Sequence, residues 1–385
     1  MSTSQGRLSL GVVAQSSKEN EHRLPLHPQH LARIPDDLRA GIYLERGYGD
    51  RHGIPDERLA DLVAGLRTRA ELVESCDVLL QPKPLLGDVA GMRPGQVLWG
   101  WPHCVQDAQL TQVAIDRTLT LIAFEAMNHW HRDGSFNLHV FHKNNELAGY
   151  CSVLHALQIA GSTGDYGRRL SAVVIGFGAT ARGAVTALAA LGVGDVDVLT
   201  HRHVAAVASP IHSARIVHFD SDDSGARVSH AVVDDVRVPL AGFLAEHDIV
   251  VNCVLQDTDA PLVFLTDDDL GGVAPGTLIV DVSCDEGMGF GWARPTTFDE
   301  PTFTVGDNVL YYAVDHSPSY LWNSATWEIS EALLPFLPVV MGGPAAWDAE
   351  PTVGRAIEIR DGVVQNPAIL SFQGRDPQYP HRVSG

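Results

Sequence analysis

The sequence predicts an α/β protein of two domains, and three observations carry that expectation. Short apolar, β-branched runs alternate with stretches of helical length along most of the chain, the pattern of parallel sheets covered by helices. One segment, Ser171 to Arg202, reads strand, glycine turn, helix, strand without interruption. The chain is also long, at 385 residues, and its 45% hydrophobic content is ample for more than one core.

Taken in order, Leu8–Ala14 (LSLGVVA) predicts the first strand. The charged cluster Lys18-Glu19-Asn20-Glu21-His22-Arg23 follows at its carboxyl end, where open α/β sheets place their ligands. Arg23 has the forked donors to clamp a carboxylate. Gly41–Glu45 predicts a strand, Asp56–Leu66 a helix and Cys76–Leu80 another strand. That strand runs out into Gln81-Pro82-Lys83-Pro84, where two prolines hold the lysine in a stiff, extended loop. Lysine is scarce, at positions 18, 83 and 143 only, against 27 basic residues in all. The next strand, Gln96–Gly100, ends in Trp101-Pro102-His103-Cys104, so His103 takes the place after its strand that Lys83 takes after its own. Two titratable groups at parallel strand ends make a candidate acid/base pair.

Leu119–Ala126 predicts a further strand. The histidines after it, at 129, 131, 139 and 142, have no standard metal-site spacing and no completing carboxylate or cysteine cluster, so no metal is expected. A long helix from Asn144 to about Ala160 leads into the glycine segment.

There, Val173-Val174-Ile175 is the strand and Gly176-Phe177-Gly178-Ala179-Thr180-Ala181 the turn, of G-x-G-x-x-A form. Gly176 permits a tight turn, Gly178 lets a pyrophosphate approach the backbone, and Ala181 lets helix and strand pack closely. The diphosphate of a dinucleotide would sit on the N–H groups that open the helix, around Ala179 and Thr180. An NAD site places Asp or Glu about 20 residues further on. Here the second strand ends Leu199-Thr200-His201-Arg202, without an acid. Arg202, helped by Thr200 or His201, offers forked cationic contacts to a 2′-phosphate, so NADPH is favoured over NADH. Asp195 and Asp197, at the start of that strand, read as turn and edge residues.

Beyond it, Ala214–His218 and Asp248–Leu255 continue the pattern, and the second of these approaches the cofactor through Val254. Thr277–Asp285 is the fifth strand, with Ser283-Cys284-Asp285 facing the nicotinamide side. Val309–Val314 leads to Asp315-His316-Ser317-Pro318-Ser319. A helix over Ala325–Leu334 stops at Pro335, Ala356–Ile359 is strand-like, and a polar tail begins at Gln373.

The net charge of −20 sets the surface against nucleic acid and anionic membranes, so anionic ligands need locally placed cations. Five scattered cysteines without C-x-x-C predict reduced thiols in a cytoplasmic protein. Neither a signal-peptide core nor a membrane-spanning run is read in the sequence.

Several of these motifs together resemble the alanine dehydrogenase / saccharopine dehydrogenase superfamily over nearly the whole chain. Lys18-Glu19 through Arg23 and Pro28 resembles "K-E … E-x-R-x-x-L-T-P", with His27 in the place of Thr. Ile279–Asp285 and Val314–Ser319 resemble the saccharopine-type "V-D-V-S-C-D" and "I-D-H-x-P-S", and Arg294–Phe303 resembles the alanine dehydrogenase "R-P-T-T-x-D-x-P-T-F". With Lys143-Asn-Asn-Glu-Leu-Ala-Gly149, the set is most similar to the carboxyethylornithine synthase branch. The resemblance implies two Rossmann-like domains: a split substrate domain, 1–143 plus 320–385, with an NADP-binding domain, 144–319, inserted. It implies Arg23 as the carboxylate binder, Lys83 and His103 as proton-handling groups, and Asp285 as a further catalytic residue. The implied reaction is NADPH-dependent condensation of a 2-oxo acid, pyruvate, with the side-chain amine of ornithine or lysine. Reductive amination by ammonia and a saccharopine-type reaction stay open, as does a non-catalytic NADPH sensor. Leu321-Trp322-Asn323 departs from the family pattern and leaves the amine undetermined. A homo-oligomer is expected.

Overall fold

The computed structural model describes residues 6–201, 214–221, 228–255 and 261–383. It divides into two compact units, Met1–His142 with Trp322–Gly385, and Lys143–Leu321.

In the first unit the chain forms β1 (Leu10–Val12), β2 (Ile42–Glu45), β3 (Gly65–Arg67), β4 (Val78–Leu80), β5 (Val97–Gly100) and β6 (Thr120–Ala123). They lie in the order β3-β2-β1-β4-β5-β6 and every neighbouring pair is parallel. Antiparallel Ile357–Arg360, with its partner Val363–Val364, extends the sheet beyond β6. The central strands are continuous apolar runs because both their faces are buried. Leu10, Leu80, Trp99 and Ile122 pack on one face with Ile329 and Leu333, and Leu79, Leu98 and Leu121 pack on the other with Leu110 and Ile115. A hairpin of β7 (Asn128–Trp130) and β8 (Phe136–His139) follows β6 and carries three of the histidines.

The helix expected over 56–66 ends at Ala60, because Ala64 N–H donates to the Ile42 carbonyl (2.8 Å) and draws the chain into the sheet as β3. The strand expected through Ala126 ends at Ala123, and Phe124–Ala126 turns as a 3-10 helix. Pro335 does not end the helical run: it sits in the first turn of Leu334–Phe336, where its missing N–H costs nothing, and Leu337–Met341 follows. Several helices have no counterpart in the sequence reading, among them Arg69–Ser75, closed by a Thr68/Glu71 capping box, and Ala108–Asp116, capped by Asp107. The segment expected as a polar tail begins inside the helix Pro367–Gln373, and Arg375 bridges back to Val383.

The second unit continues with β9 (Ser171–Ile175), β10 (Asp195–Thr200), β11 (Arg215–Ser221), β12 (Val228–Val233), β13 (Val236–Pro239) and β14 (Ile249–Asn252). Then come β15 (Val263–Leu265), β16 (Leu278–Asp281), β17 (Gly289–Phe290), β18 (Thr302–Val305) and β19 (Val309–Tyr312). The parallel strands run β11-β10-β9-β14-β16-β19, the same doubly wound order as in the first unit, with antiparallel strands added at both edges. The helix His142–Ile159 crosses the helix Ala179–Ala190 at backbone contact. A methyl on Gly183 would lie 1.8 Å from the Glu146 carbonyl oxygen, and one on Gly149 would lie 1.9 Å from that of Thr180. Asp195 is exposed, but Asp197 is not the edge residue expected. It is 4% exposed, receives two hydrogen bonds from Arg215 (2.8 and 2.6 Å) and lies 3.2 Å from His247 Nε2.

Candidate active site

In a doubly wound sheet the loops leaving the carboxyl ends of the strands meet at the switch point, between the first strand and the fourth. In the first unit those loops follow β1 and β4, flanked by the loops after β5 and β6. Arg23, Lys83, His103 and Glu125 occupy them in that order.

Lys83 Nζ lies 2.8 Å from His103 Nε2. The backbone makes this contact by extending the β4–β5 pairing past the strands: Gln81 N–H donates to the Trp99 carbonyl (3.1 Å), and Trp101 N–H to that of Pro82 (2.9 Å). Gly100 is required between them, since a methyl there would sit 1.9 Å from the Gln81 carbonyl oxygen. Ser16 Oγ donates to the Lys83 carbonyl (2.9 Å), tying the loop after β1 to the loop after β4. His103 adopts a left-handed φ of +49°, a conformation that must be held by its surroundings. Glu125 holds it: His103 N–H donates to Oε1 (2.7 Å), and the same oxygen lies 3.8 Å from Nδ1. The imidazole therefore stands between an amine and a carboxyl. Burial, reinforced by the charge of Glu358, pushes the Glu125 carboxyl up to about 8.

The Arg23 side chain is 2% exposed, with its guanidinium 5.3 Å from the Trp101 ring centre. Glu21 takes its Nε edge at 2.8 Å and pairs with Nη2 as well. A carboxylate ligand at this guanidinium would have to engage it beside Glu21 or in its place. Thr326 Oγ accepts from Leu24 N–H (2.9 Å) and anchors this loop. The neighbouring histidines have structural partners: His139 Nε2 lies 3.3 Å from the Glu125 carbonyl, and His139 Nδ1 accepts from Phe141 N–H (3.1 Å). Among the described residues no group of three or more His, Cys, Asp or Glu is placed to hold a metal ion.

In the second unit the turn after β9 is a cradle. Gly176 has φ +119°, and a methyl on it would stand 3.1 Å from the Cys253 carbonyl oxygen. Gly178 precedes the helix Ala179–Ala190, and a methyl built there meets nothing within 4 Å. That open space lies at the positive end of a twelve-residue helix, which suits a diphosphate. Ala181 is fully buried in the core beneath. At the end of β10, Thr200 is buried and His201 meets the Phe219 ring edge-on at 5.6 Å, while Arg202 lies outside the described residues.

The loops after β14 and β16 are joined by Ser283 Oγ donating to the Val254 carbonyl. Beneath them lies Asp281, fully buried. Its Oδ1 accepts from Asn252 Nδ2 (2.9 Å) and Cys284 N–H (3.1 Å), and its Oδ2 accepts from the Tyr311 hydroxyl (2.5 Å). Burial pushes Asp281 up to about 6, and burial also raises Asp285. Cys284, at φ +48°, is the residue on which the chain turns towards Asp285.

The sequence does not single out Glu125, Glu358, Asp281, Asn252 or Gly100. For Glu125 a signal was present, because it is the charged residue just beyond β6, as Lys83 and His103 stand beyond β4 and β5. Asp281 lies within the quoted "V-D-V-S-C-D" motif, but nothing in the motif marked it as a buried carboxyl held by Asn252, Cys284 and Tyr311. Glu358 carries no local signal.

The described residues contain no helix long and apolar enough to cross a membrane. Residues 11–147 match the family "Alanine dehydrogenase/PNT, N-terminal domain", and residues 160–367 match "Alanine dehydrogenase/PNT, C-terminal domain". Among curated proteins, an alanine dehydrogenase of Mycobacterium tuberculosis is 25% identical over 378 residues, covering 94% of this chain and 96% of that protein. An N(5)-(carboxyethyl)ornithine synthase of Clostridium botulinum is 23% identical over 323 residues, covering 81% of this chain and 89% of its own. Among solved structures, an L-alanine dehydrogenase superposes with a TM-score of 0.73 at 19% identity, covering 95% of this chain and 99% of that one.

Proposed function

The chain belongs to the alanine dehydrogenase/PNT family, and from that premise we propose that it joins a 2-oxo acid to an amino-acid amine and reduces the product with NADPH. It is an oxidoreductase acting on CH–NH groups. The observation that carries the finer reading is the 2.8 Å contact between Lys83 and His103. Two nitrogens at that distance share one hydrogen bond, so one holds a proton and the other a lone pair, and the couple gives or takes one proton at a time.

In this reading Arg23 binds the carboxylate of the 2-oxo acid, preferably pyruvate, and fixes the direction of its carbonyl. The side-chain amine of ornithine or lysine attacks the carbonyl carbon. Lys83 and His103 protonate the resulting oxyanion and accept the proton released from nitrogen. They then protonate the hydroxyl, which leaves as water to give the imine. When bound, the dinucleotide supplies the hydride that reduces the imine carbon. Oxo acid, amine, NADPH and one proton thus become secondary amine, NADP and water. Gly176, Gly178, Ala179, Thr180 and Ala181 would hold the diphosphate, and Thr200, His201 and Arg202 the 2′-phosphate. Val254 and Ser283 would line the nicotinamide side, and Asp285 would complete the catalytic set.

A second reading, reductive amination of the oxo acid by ammonia, is favoured by the 94% coverage of this chain by an alanine dehydrogenase relative. Purified protein supplied with pyruvate and NADPH, or NADH, and with ammonia, ornithine or lysine separates the readings. The proposal expects dinucleotide oxidation with a diamino acid and a product heavier by the carboxyethyl group. Oxidation with ammonia alone selects the second reading, and oxidation with none of the amines refutes both.

A further inference from the structure

Two prolines stiffen the loop that carries Lys83, but stiffness alone does not aim the amine at His103. The chain on either side of it is pinned by one carboxylate: Asp88 Oδ2 accepts from Leu85 N–H (2.9 Å) and from Gln81 Nε2 (2.9 Å). The other oxygen, Oδ1, accepts from Arg69 Nη1 (3.3 Å). Arg69 opens the helix Arg69–Ser75, at the end where the peptide dipoles disfavour a cation. Its contacts compensate. The Nε and Nη2 edge forks onto the carboxylate of Glu45 at the end of β2 (3.0 Å each), and Glu45 Oε2 also accepts from Ala14 N–H (2.7 Å). Nη2 donates as well to the Gln15 carbonyl in the loop after β1. The next residue, Ser16, is the one whose hydroxyl donates to the Lys83 carbonyl. One guanidinium thus grips the loop after β1, directly and through Glu45, and the loop after β4 through Asp88.

A lone surface ion pair contributes little. This network is of another kind: the Glu45 and Asp88 side chains are 14% exposed and that of Arg69 30%, and both carboxylates accept backbone N–H groups besides the guanidinium. Without the guanidinium, two partly buried carboxylates would be left to share the space it fills, and their repulsion would part the segments they hold. We propose that Arg69 is a positioning residue that braces the loops after β1 and β4 against each other and so holds Lys83 Nζ in contact with His103 Nε2. The consequence for turnover rests on the reading of Lys83 and His103 given above; the effect on their contact does not.

Arg69→Met removes the fork while keeping an unbranched stem. In nitrogen-15 NMR the ring signals of His103, assigned by their loss in His103→Gln, should move in Arg69→Met towards the positions they take in Lys83→Met. With a 2-oxo acid and an amine, kcat/KM should fall about 10–100-fold, the scale of a misplaced reacting group, with the Kd for NADPH unchanged. Asp88→Asn keeps an oxygen for Leu85 and Gln81 but turns a donor towards Arg69. It should move the His103 signals the same way by less, and it decides the matter if Arg69→Met does not fold. Arg69→Lys should not restore the wild-type signals, because an ammonium cannot fork onto Glu45 and reach Asp88 together. A folded Arg69→Met or Asp88→Asn protein whose His103 signals match the wild type overturns the brace. Displaced signals with an unmoved kcat/KM overturn the positioning role. If the wild type oxidises the dinucleotide with none of the amines, the NMR result still decides the brace, so the two failures are distinguishable.

Discussion

Asp281→Asn tests how the second unit carries a buried charge beneath the loop after β16. In the folded protein this carboxyl is raised by burial from 3.8 to about 6, against the opposing help of Tyr311, Cys284 and Asn252. A folded value above the unfolded one means that the folded state holds its proton more tightly. The stabilisation is therefore complete below 3.8 and is lost as pH rises through about 6. At roughly 1.4 kcal/mol per pH unit, the loss between those limits is about 3 kcal/mol. Asparagine keeps an oxygen for Asn252 and Cys284 and an N–H for the Tyr311 oxygen, without the charge. Urea denaturation followed by circular dichroism, on wild type and variant from pH 4 to pH 7, isolates the term as a difference. The wild type should lose about 2.4 kcal/mol relative to the variant across that window, most of it between pH 4 and 6.5. A difference that is flat with pH, or that grows in favour of the wild type, refutes the reasoning.

Gly183→Ala drives a methyl into the Glu146 carbonyl at 1.8 Å and should cost about 1–3 kcal/mol or more, seen as a lower Tm. Gly178→Ala, whose methyl meets nothing within 4 Å, should leave Tm nearly unchanged while weakening dinucleotide binding in a fluorescence titration. Lys83→Met should lower kcat/KM by about 10²–10⁴-fold with NADPH affinity preserved, and wild-type turnover would remove Lys83 from the chemistry. Arg202→Ala should raise the Kd for NADPH and leave that for NADH unchanged; equal effects on both would remove the 2′-phosphate contact.

The glycine turn could be read along the chain because all its determinants are local: a strand, Gly176 and Gly178, and a helix within a few residues. Lys83 and His103 were legible for the same reason, each being the first titratable group past an apolar run ending at Leu80 or Gly100. Asp197 misled because its place at the start of the strand suggested an edge, whereas Arg215 and His247 reach it only once β11 and the helix Leu240–Ala245 are in place.

By itself, the sequence determined the strand-and-helix alternation, the glycine turn, the family motifs and which titratable side chains stand just past the strands of the first unit. Only the tertiary structure decided that Lys83 and His103 touch, that Glu125 stands on the far side of the imidazole, and that the strand carrying Glu358 returns from the end of the chain to pair with β6. The physical reason is that strand propensity is a property of neighbouring residues. Which strands become neighbours in the sheet, and so which charges share a dielectric too poor to separate them, is settled by packing over the whole unit.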